Sequence, residues 1–70
     1  MIELNETQTL ALIARYYPPG TAINQALINV FCNNYTMYRA EQKADLDKNS
    51  LPKKVKRIKK EITFIESLFN

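Results

Sequence analysis

Large apolar residues recur along this chain three or four positions apart, which is the spacing of an α-helix with one buried face. No stretch alternates strictly between apolar and polar residues, as a half-buried β-strand would. Glycine and proline divide the pattern into three segments: Pro18, Pro19 and Gly20 follow the first, and Pro52 lies near the start of the last. The pattern predicts an all-α fold with three helices.

The first helix is predicted over residues 5–16. Asn5 is a favourable N-cap, and Gln8 stands three residues later, where the second partner of a capping box belongs. Pro18 ends the helix because the residue before a proline is disfavoured in the α region. The sequence therefore marks both ends of this helix by local signals.

The second helix is predicted to begin at the N-cap Thr21 and to run to about Leu46. Asn33 and Asn34 are poor helix formers in its middle, so a break at this pair is the alternative. We favour a continuous helix because no glycine or proline interrupts the segment. Residues 45–50 then form the connecting loop.

The third helix has the clearest pattern. Ser50 is its predicted N-cap, and Pro52 falls in the first turn, where its missing N–H costs little. A seam of large apolar residues follows with spacings of four and three, comprising Leu51, Val55, Ile58, Ile62, Ile65 and Phe69. We expect this seam to face the core.

These elements predict a single helical domain over residues 1–70, in which helices two and three form a long helical hairpin and the short N-terminal helix packs on it. At 1.5 Å per residue the three helices would be roughly 18, 38 and 28 Å long, so the first cannot cover the hairpin. Some apolar surface should therefore stay exposed, and such surface often marks an interface. The candidates are Tyr35, Tyr38, Phe64, Leu68 and Phe69.

Few residues in this chain could carry chemistry. The sequence has no histidine, one cysteine and one glycine, so a zinc site, an internal disulfide and a glycine-rich phosphate loop are not expected. Cys32 is interpreted as a small apolar residue, because no cation or helix start stands beside it to activate the thiol. We predict a protein that is not an enzyme and has no metal or cofactor.

A run of six cations on the third helix contradicts local preference, because positive charge near a helix N-terminus opposes the macrodipole. The run consists of Lys53, Lys54, Lys56, Arg57, Lys59 and Lys60. Three interpretations remain open: a solvated face, a site for a polyanion or an acidic protein surface, and a helix lying on an anionic membrane. The membrane is the least favoured partner, because the helix lacks tryptophan anchors.

Together these features predict a small regulatory or inhibitor-type protein that binds another protein through its helices. We expect the basic face to contact an acidic partner surface, and a chain of 70 residues could gain further stability as a homodimer. The alternative is a nucleic-acid-binding regulator that places helix 53–60 on phosphates with little sequence specificity. The acidic N-terminus and the short apolar runs predict a soluble, cytoplasmic protein.

Overall fold

The computed structural model describes residues 4–69. It contains the helices α1 (Glu6–Tyr16), α2 (Ala22–Cys32), α3 (Met37–Lys43) and α4 (Pro52–Phe69). No strand occurs among the described residues. The predicted all-α class is confirmed, but the predicted number of helices is wrong, since residues 4–69 form four helices where three were expected.

The first two helices begin where their caps predict. The side-chain oxygen of Asn5 accepts a hydrogen bond from the Gln8 backbone N–H at 2.8 Å, and the Gln8 side chain accepts one from the Asn5 N–H at 3.0 Å. This is the predicted capping box. The hydroxyl of Thr21 accepts from the Asn24 N–H at 3.2 Å, which confirms it as the N-cap of α2.

The long second helix does not form, because the chain breaks at the asparagine pair. Asn34 has a φ of 59°, a left-handed conformation that asparagine tolerates better than most residues. The Tyr35 N–H donates to the Asn29 carbonyl at 3.0 Å, which closes the turn after α2. Thr36 then caps α3 by accepting from the Arg39 N–H at 3.1 Å. The predicted hairpin of two long helices is therefore replaced by two short helices and α4.

We expect Asn34→Ala to lower the free energy of unfolding by about 1 kcal/mol, because alanine lacks the short polar side chain that makes a positive φ more tolerable for asparagine. Asn34→Gly should cost much less, because glycine adopts a positive φ readily. Urea unfolding followed by helical circular dichroism compares the two variants. Equal stability of the alanine and glycine variants would contradict the strained turn.

The start of α4 differs from the predicted cap. Pro52 is its first residue, as expected, but the Oγ of Ser50 is buried without a hydrogen-bond partner. The Leu51 carbonyl accepts the first backbone bond of the helix, from the Val55 N–H at 2.8 Å. The carboxylate of Glu41, on α3, accepts from the Leu51 N–H at 2.9 Å. The predicted N-cap Ser50 is therefore wrong. The carboxylate of Glu41, from another helix, satisfies the backbone N–H of Leu51 instead.

The core lies where α1 contacts α2 and α4, and where α2 contacts α3. Helices α1 and α4 are antiparallel: the Leu4 N–H donates to the Glu66 carboxylate at 3.2 Å at one end, and Arg57 lies over Tyr16 at the other. The predicted seam of α4 is buried only in its first half. The buried apolar residues are Leu12, Ile13, Ala26, Leu27, Ala40, Leu51, Val55 and Ile58.

Candidate functional site

The side of α4 that points away from the core carries five exposed residues in a row, Lys53, Arg57, Lys60, Phe64 and Leu68. Each is three or four positions from the next, so all five share one side of the helix. We call this row the outer stripe. It is about 23 Å long at the rise of an α-helix. Its first half is cationic, and its second half exposes two large apolar side chains, at 59% for Phe64 and 63% for Leu68.

The other cations of the run differ in their surroundings. Lys56 and Lys59 are exposed beside the outer stripe, whereas Lys54 is half-buried and its Nζ donates to the Ser50 carbonyl at 3.2 Å. Within residues 4–69, the ammonium groups of Lys53, Lys56, Lys59 and Lys60 have no hydrogen bond or ion pair. The run therefore presents four uncompensated lysines to solvent rather than six equivalent cations.

Arg57 is the one cation of the run that contacts an aromatic ring. Its guanidinium carbon lies 4.7 Å from the centroid of the Tyr16 ring. Tyr16 is the last residue of α1 and is half-buried against the core. Nothing in the sequence spacing of Tyr16 and Arg57 signals their contact. This pair fixes one cation of the outer stripe in place.

The predicted apolar candidates Tyr35 and Tyr38 lie elsewhere. Tyr35 is half-buried beneath Arg39 and Lys43, at 4.5 and 5.3 Å from its ring centroid. The Lys43 Nζ donates to the Tyr35 hydroxyl at 3.0 Å, and this hydrogen bond lowers the pKa of Tyr35. Tyr38 is 61% exposed, and its hydroxyl accepts from Gln42 at 2.8 Å.

These tyrosines and the apolar end of α4 form separate patches. The bond from Leu51 to Glu41 places α3 beside the start of α4. Phe64 lies about 20 Å farther along α4 at 1.5 Å per residue. The five apolar residues chosen from the sequence therefore do not make one surface.

Phe69 also stands apart from the outer stripe, on the side of α4 that faces α1. It is 62% exposed and lines a groove of about 420 Å³ between the two helices, together with Leu4, Leu12 and Ile65. The groove lies at the end of the seam, beyond the fully buried Ile58. The sequence placed Phe69 in the core seam, and the short α1 leaves it uncovered.

Metal-binding clusters and the single cysteine can be assessed for the described residues. No three His, Cys, Asp or Glu side chains gather as a metal site in residues 4–69. Cys32 is half-buried, and burial, with a smaller contribution from the Glu6 carboxylate, raises the pKa of its thiol. A raised pKa reduces the thiolate fraction, so this cysteine is poorly suited to nucleophilic chemistry. None of the helices in this part of the chain has the length and apolar character required to cross a bilayer.

The outer stripe thus brings exposed charge and exposed apolar area together along one side of one helix. Both parts lie on α4, and this helix packs against the rest of the protein through its opposite side. Comparison with protein-family models, with curated proteins and with solved structures finds no match to this chain.

Proposed function

We propose that this protein is a non-catalytic regulatory or inhibitor-type protein that binds another protein through the outer stripe of α4. The basic half contacts an acidic surface of the partner, and Phe64 and Leu68 act as apolar anchors. The observation that carries the proposal is the continuity of these two chemistries along one exposed helix side. A partner helix with carboxylates on one half and apolar residues on the other would complement it.

The exposed apolar pair favours a protein over a simple polyanion. Phosphate contacts need only cations and hydrogen-bond donors. Phe64 and Leu68 add nothing to such contacts, yet both keep about 60% of their surface in water. Large apolar residues that a partner can desolvate carry much of the binding energy at protein interfaces. Their position next to Lys60 supports an interface of mixed character.

An acidic partner also relieves a cost within α4. Neighbouring cations three or four positions apart repel each other, and their place in the first half of the helix opposes the macrodipole. Each of these costs is a few tenths of a kcal/mol. Carboxylates brought alongside would offset both costs and would also speed encounter.

A second copy of this chain is a poor occupant of the outer stripe. Pairing the stripe with itself would bring two cationic helix halves into one interface, and like charges placed together disfavour binding. The homodimer expected for a short chain would therefore need another surface. The groove beside Phe69 is available for that role.

The test uses a synthetic helical peptide with glutamates on three successive turns and leucines on the next two, made in both sequence orders. We expect the protein to bind one of these peptides, with affinity that falls as salt rises. The double variant Lys53→Glu/Lys60→Glu should weaken binding about tenfold or more, because it replaces two attractive pairs with two repulsive ones. Fluorescence anisotropy measures the dissociation constants.

Lys48→Glu is the matched control for the single variant Lys53→Glu, because it makes the same charge change at an exposed turn residue before α4. It should weaken binding far less than Lys53→Glu does. Equal effects of the stripe and control variants would show that only net charge matters. Failure of both peptides to bind the unaltered protein would contradict the proposed function.

The nucleic-acid alternative is favoured by one observation, the four uncompensated lysines on two turns of α4. The variant Phe64→Ser separates the two functions. It should weaken peptide binding about tenfold if Phe64 is an anchor, and it should leave binding to random duplex DNA unchanged. Strong salt-dependent DNA binding, unaffected by Phe64→Ser, without peptide binding would favour the alternative instead.

A further inference from the structure

Arg57 is unlike the other cations of the outer stripe in both chemistry and surroundings. It is the single guanidinium in the run, and its side chain lies over the Tyr16 ring at 4.7 Å. Tyr16 itself packs against the buried core through α1. The guanidinium therefore contacts a residue that packs on the core, whereas the ammonium groups of Lys53 and Lys60 contact no aromatic ring and no hydrogen-bond partner within residues 4–69.

Contact with the ring leaves the binding capacity of the guanidinium available. A guanidinium placed over an aromatic face keeps its N–H donors directed outward in its own plane. Two of these donors match the two oxygens of a carboxylate, which gives a directional pair that a lysine cannot form. Holding the side chain beforehand also reduces the conformational entropy lost when a partner binds.

We propose that Tyr16 is a positioning residue that holds Arg57 as the carboxylate anchor of the outer stripe. The partner then presents an Asp or Glu side chain opposite Arg57, between Lys53 and Lys60. This inference rests on the proposed function, because it assigns the acidic group that the stripe recognises. It adds a residue on α1 to a surface otherwise built by α4 alone.

The position of Arg57 within the stripe supports this role. Lys53 lies four positions before Arg57 and Lys60 three positions after it, so Arg57 is at the centre of the basic half. A directional contact there sets the register of the partner along the stripe. The lysines, as flexible point charges, tolerate several registers.

The experiment measures binding of the glutamate–leucine peptide to four variants by fluorescence anisotropy. Tyr16→Phe keeps the ring and should bind within about twofold of the unaltered protein. Tyr16→Leu should weaken binding about three- to fivefold, as expected for loss of an exposed cation–π contact. Arg57→Gln should weaken it about tenfold, and the double variant Tyr16→Leu/Arg57→Gln should match Arg57→Gln, because Tyr16 acts through Arg57.

A fifth variant, Arg57→Lys, keeps the charge but removes the planar guanidinium with its paired N–H donors. It leaves every residue of α1 unaltered, so it tests the guanidinium independently of the fold of α1. It should weaken peptide binding about threefold with no change in the urea unfolding midpoint. Tyr35→Leu is the matched ring control, because its cations Arg39 and Lys43 lie off the outer stripe, and it should leave binding unchanged.

Two results would overturn the inference alone. One is peptide binding by Arg57→Lys that equals that of the unaltered protein. The other is a loss of peptide affinity on Tyr16→Leu that is as large in the Arg57→Gln background as in the unaltered protein. Tyr16 would then affect binding through the stability of the fold and not through Arg57. Absence of any peptide binding by the unaltered protein would instead overturn the proposed function and this inference with it.

Discussion

Replacing Ile58 by alanine should lower the free energy of unfolding by about 2–5 kcal/mol, the range found when aliphatic side chains are removed from packed cores. Ile58 is fully buried on the side of α4 opposite the outer stripe. A domain of this size has a total stability of only about 3–5 kcal/mol. The variant should therefore lose a large part of its stability.

Urea unfolding followed by far-ultraviolet circular dichroism measures this loss. The neighbouring exposed residue provides the control, since Lys59→Ala should change stability by less than about 0.5 kcal/mol. A stable, cooperative Ile58→Ala variant would show that α4 is not docked through this residue. Such a result would also remove the structural basis for treating the opposite side of α4 as the free one.

Glu41→Ala should cost about 1.5–3 kcal/mol, the contribution typical of a hydrogen bond to a charged group. The Glu41 side chain is 4% exposed, and its Oε2 accepts from the Leu51 N–H at 2.9 Å. Without the carboxylate, the backbone N–H before Pro52 loses its partner. The first turn of α4, which carries the outer stripe, would then be less stable, because it starts directly after this N–H group.

Glu41→Gln keeps an acceptor oxygen at the same place and should cost clearly less than Glu41→Ala. Gln42→Ala, at an exposed position of the same helix, is the control for helix propensity and should stay within about 0.5 kcal/mol of the unaltered protein. Thermal unfolding gives a second measure, because 1 kcal/mol corresponds to a shift of about 4–8 °C for a domain of this length. Equal stability of Glu41→Ala and the unaltered protein would contradict the capping role.

The parts of the fold that the sequence predicts correctly are those decided by neighbours in the chain. Asn5 and Gln8 cap each other within one turn, and Thr21 caps the helix that it precedes. Pro52 likewise starts α4 because its own ring prevents it from standing deeper in the helix. Each of these signals can be recognised without knowing the tertiary structure.

The wrong predictions concern features that depend on small energy differences or on residues distant in the sequence. Continuing a helix through Asn33 and Asn34 differs from ending it by only about 1 kcal/mol of propensity, so the bonds made by Asn29 and Thr36 decide the outcome. The cap of α4 comes from Glu41 rather than from Ser50. No local pattern marks a partner that lies on another helix.

The candidate site was likewise predictable in part. The spacing of Phe64 and Leu68 after the basic run is visible in the sequence, and both are exposed as expected. The contacts of each cation cannot be predicted from the sequence, because they depend on which residues the tertiary structure places beside it. Lys54 donates a hydrogen bond to the Ser50 carbonyl, and Arg57 lies over the Tyr16 ring. These contacts distinguish both residues from the other lysines of the run, and they depend on the tertiary structure.

The antiparallel contact between α1 and α4 has a kinetic consequence. The hydrogen bond between Leu4 and Glu66 joins residues 62 positions apart, whereas α1 and α2 are joined by a short turn. Closing a long loop costs entropy that must be overcome before its contacts form, so the helical pair α1–α2 should assemble first and α4 should dock late. Substitutions that weaken only the docking of α4 should therefore speed unfolding and leave the folding rate nearly unchanged.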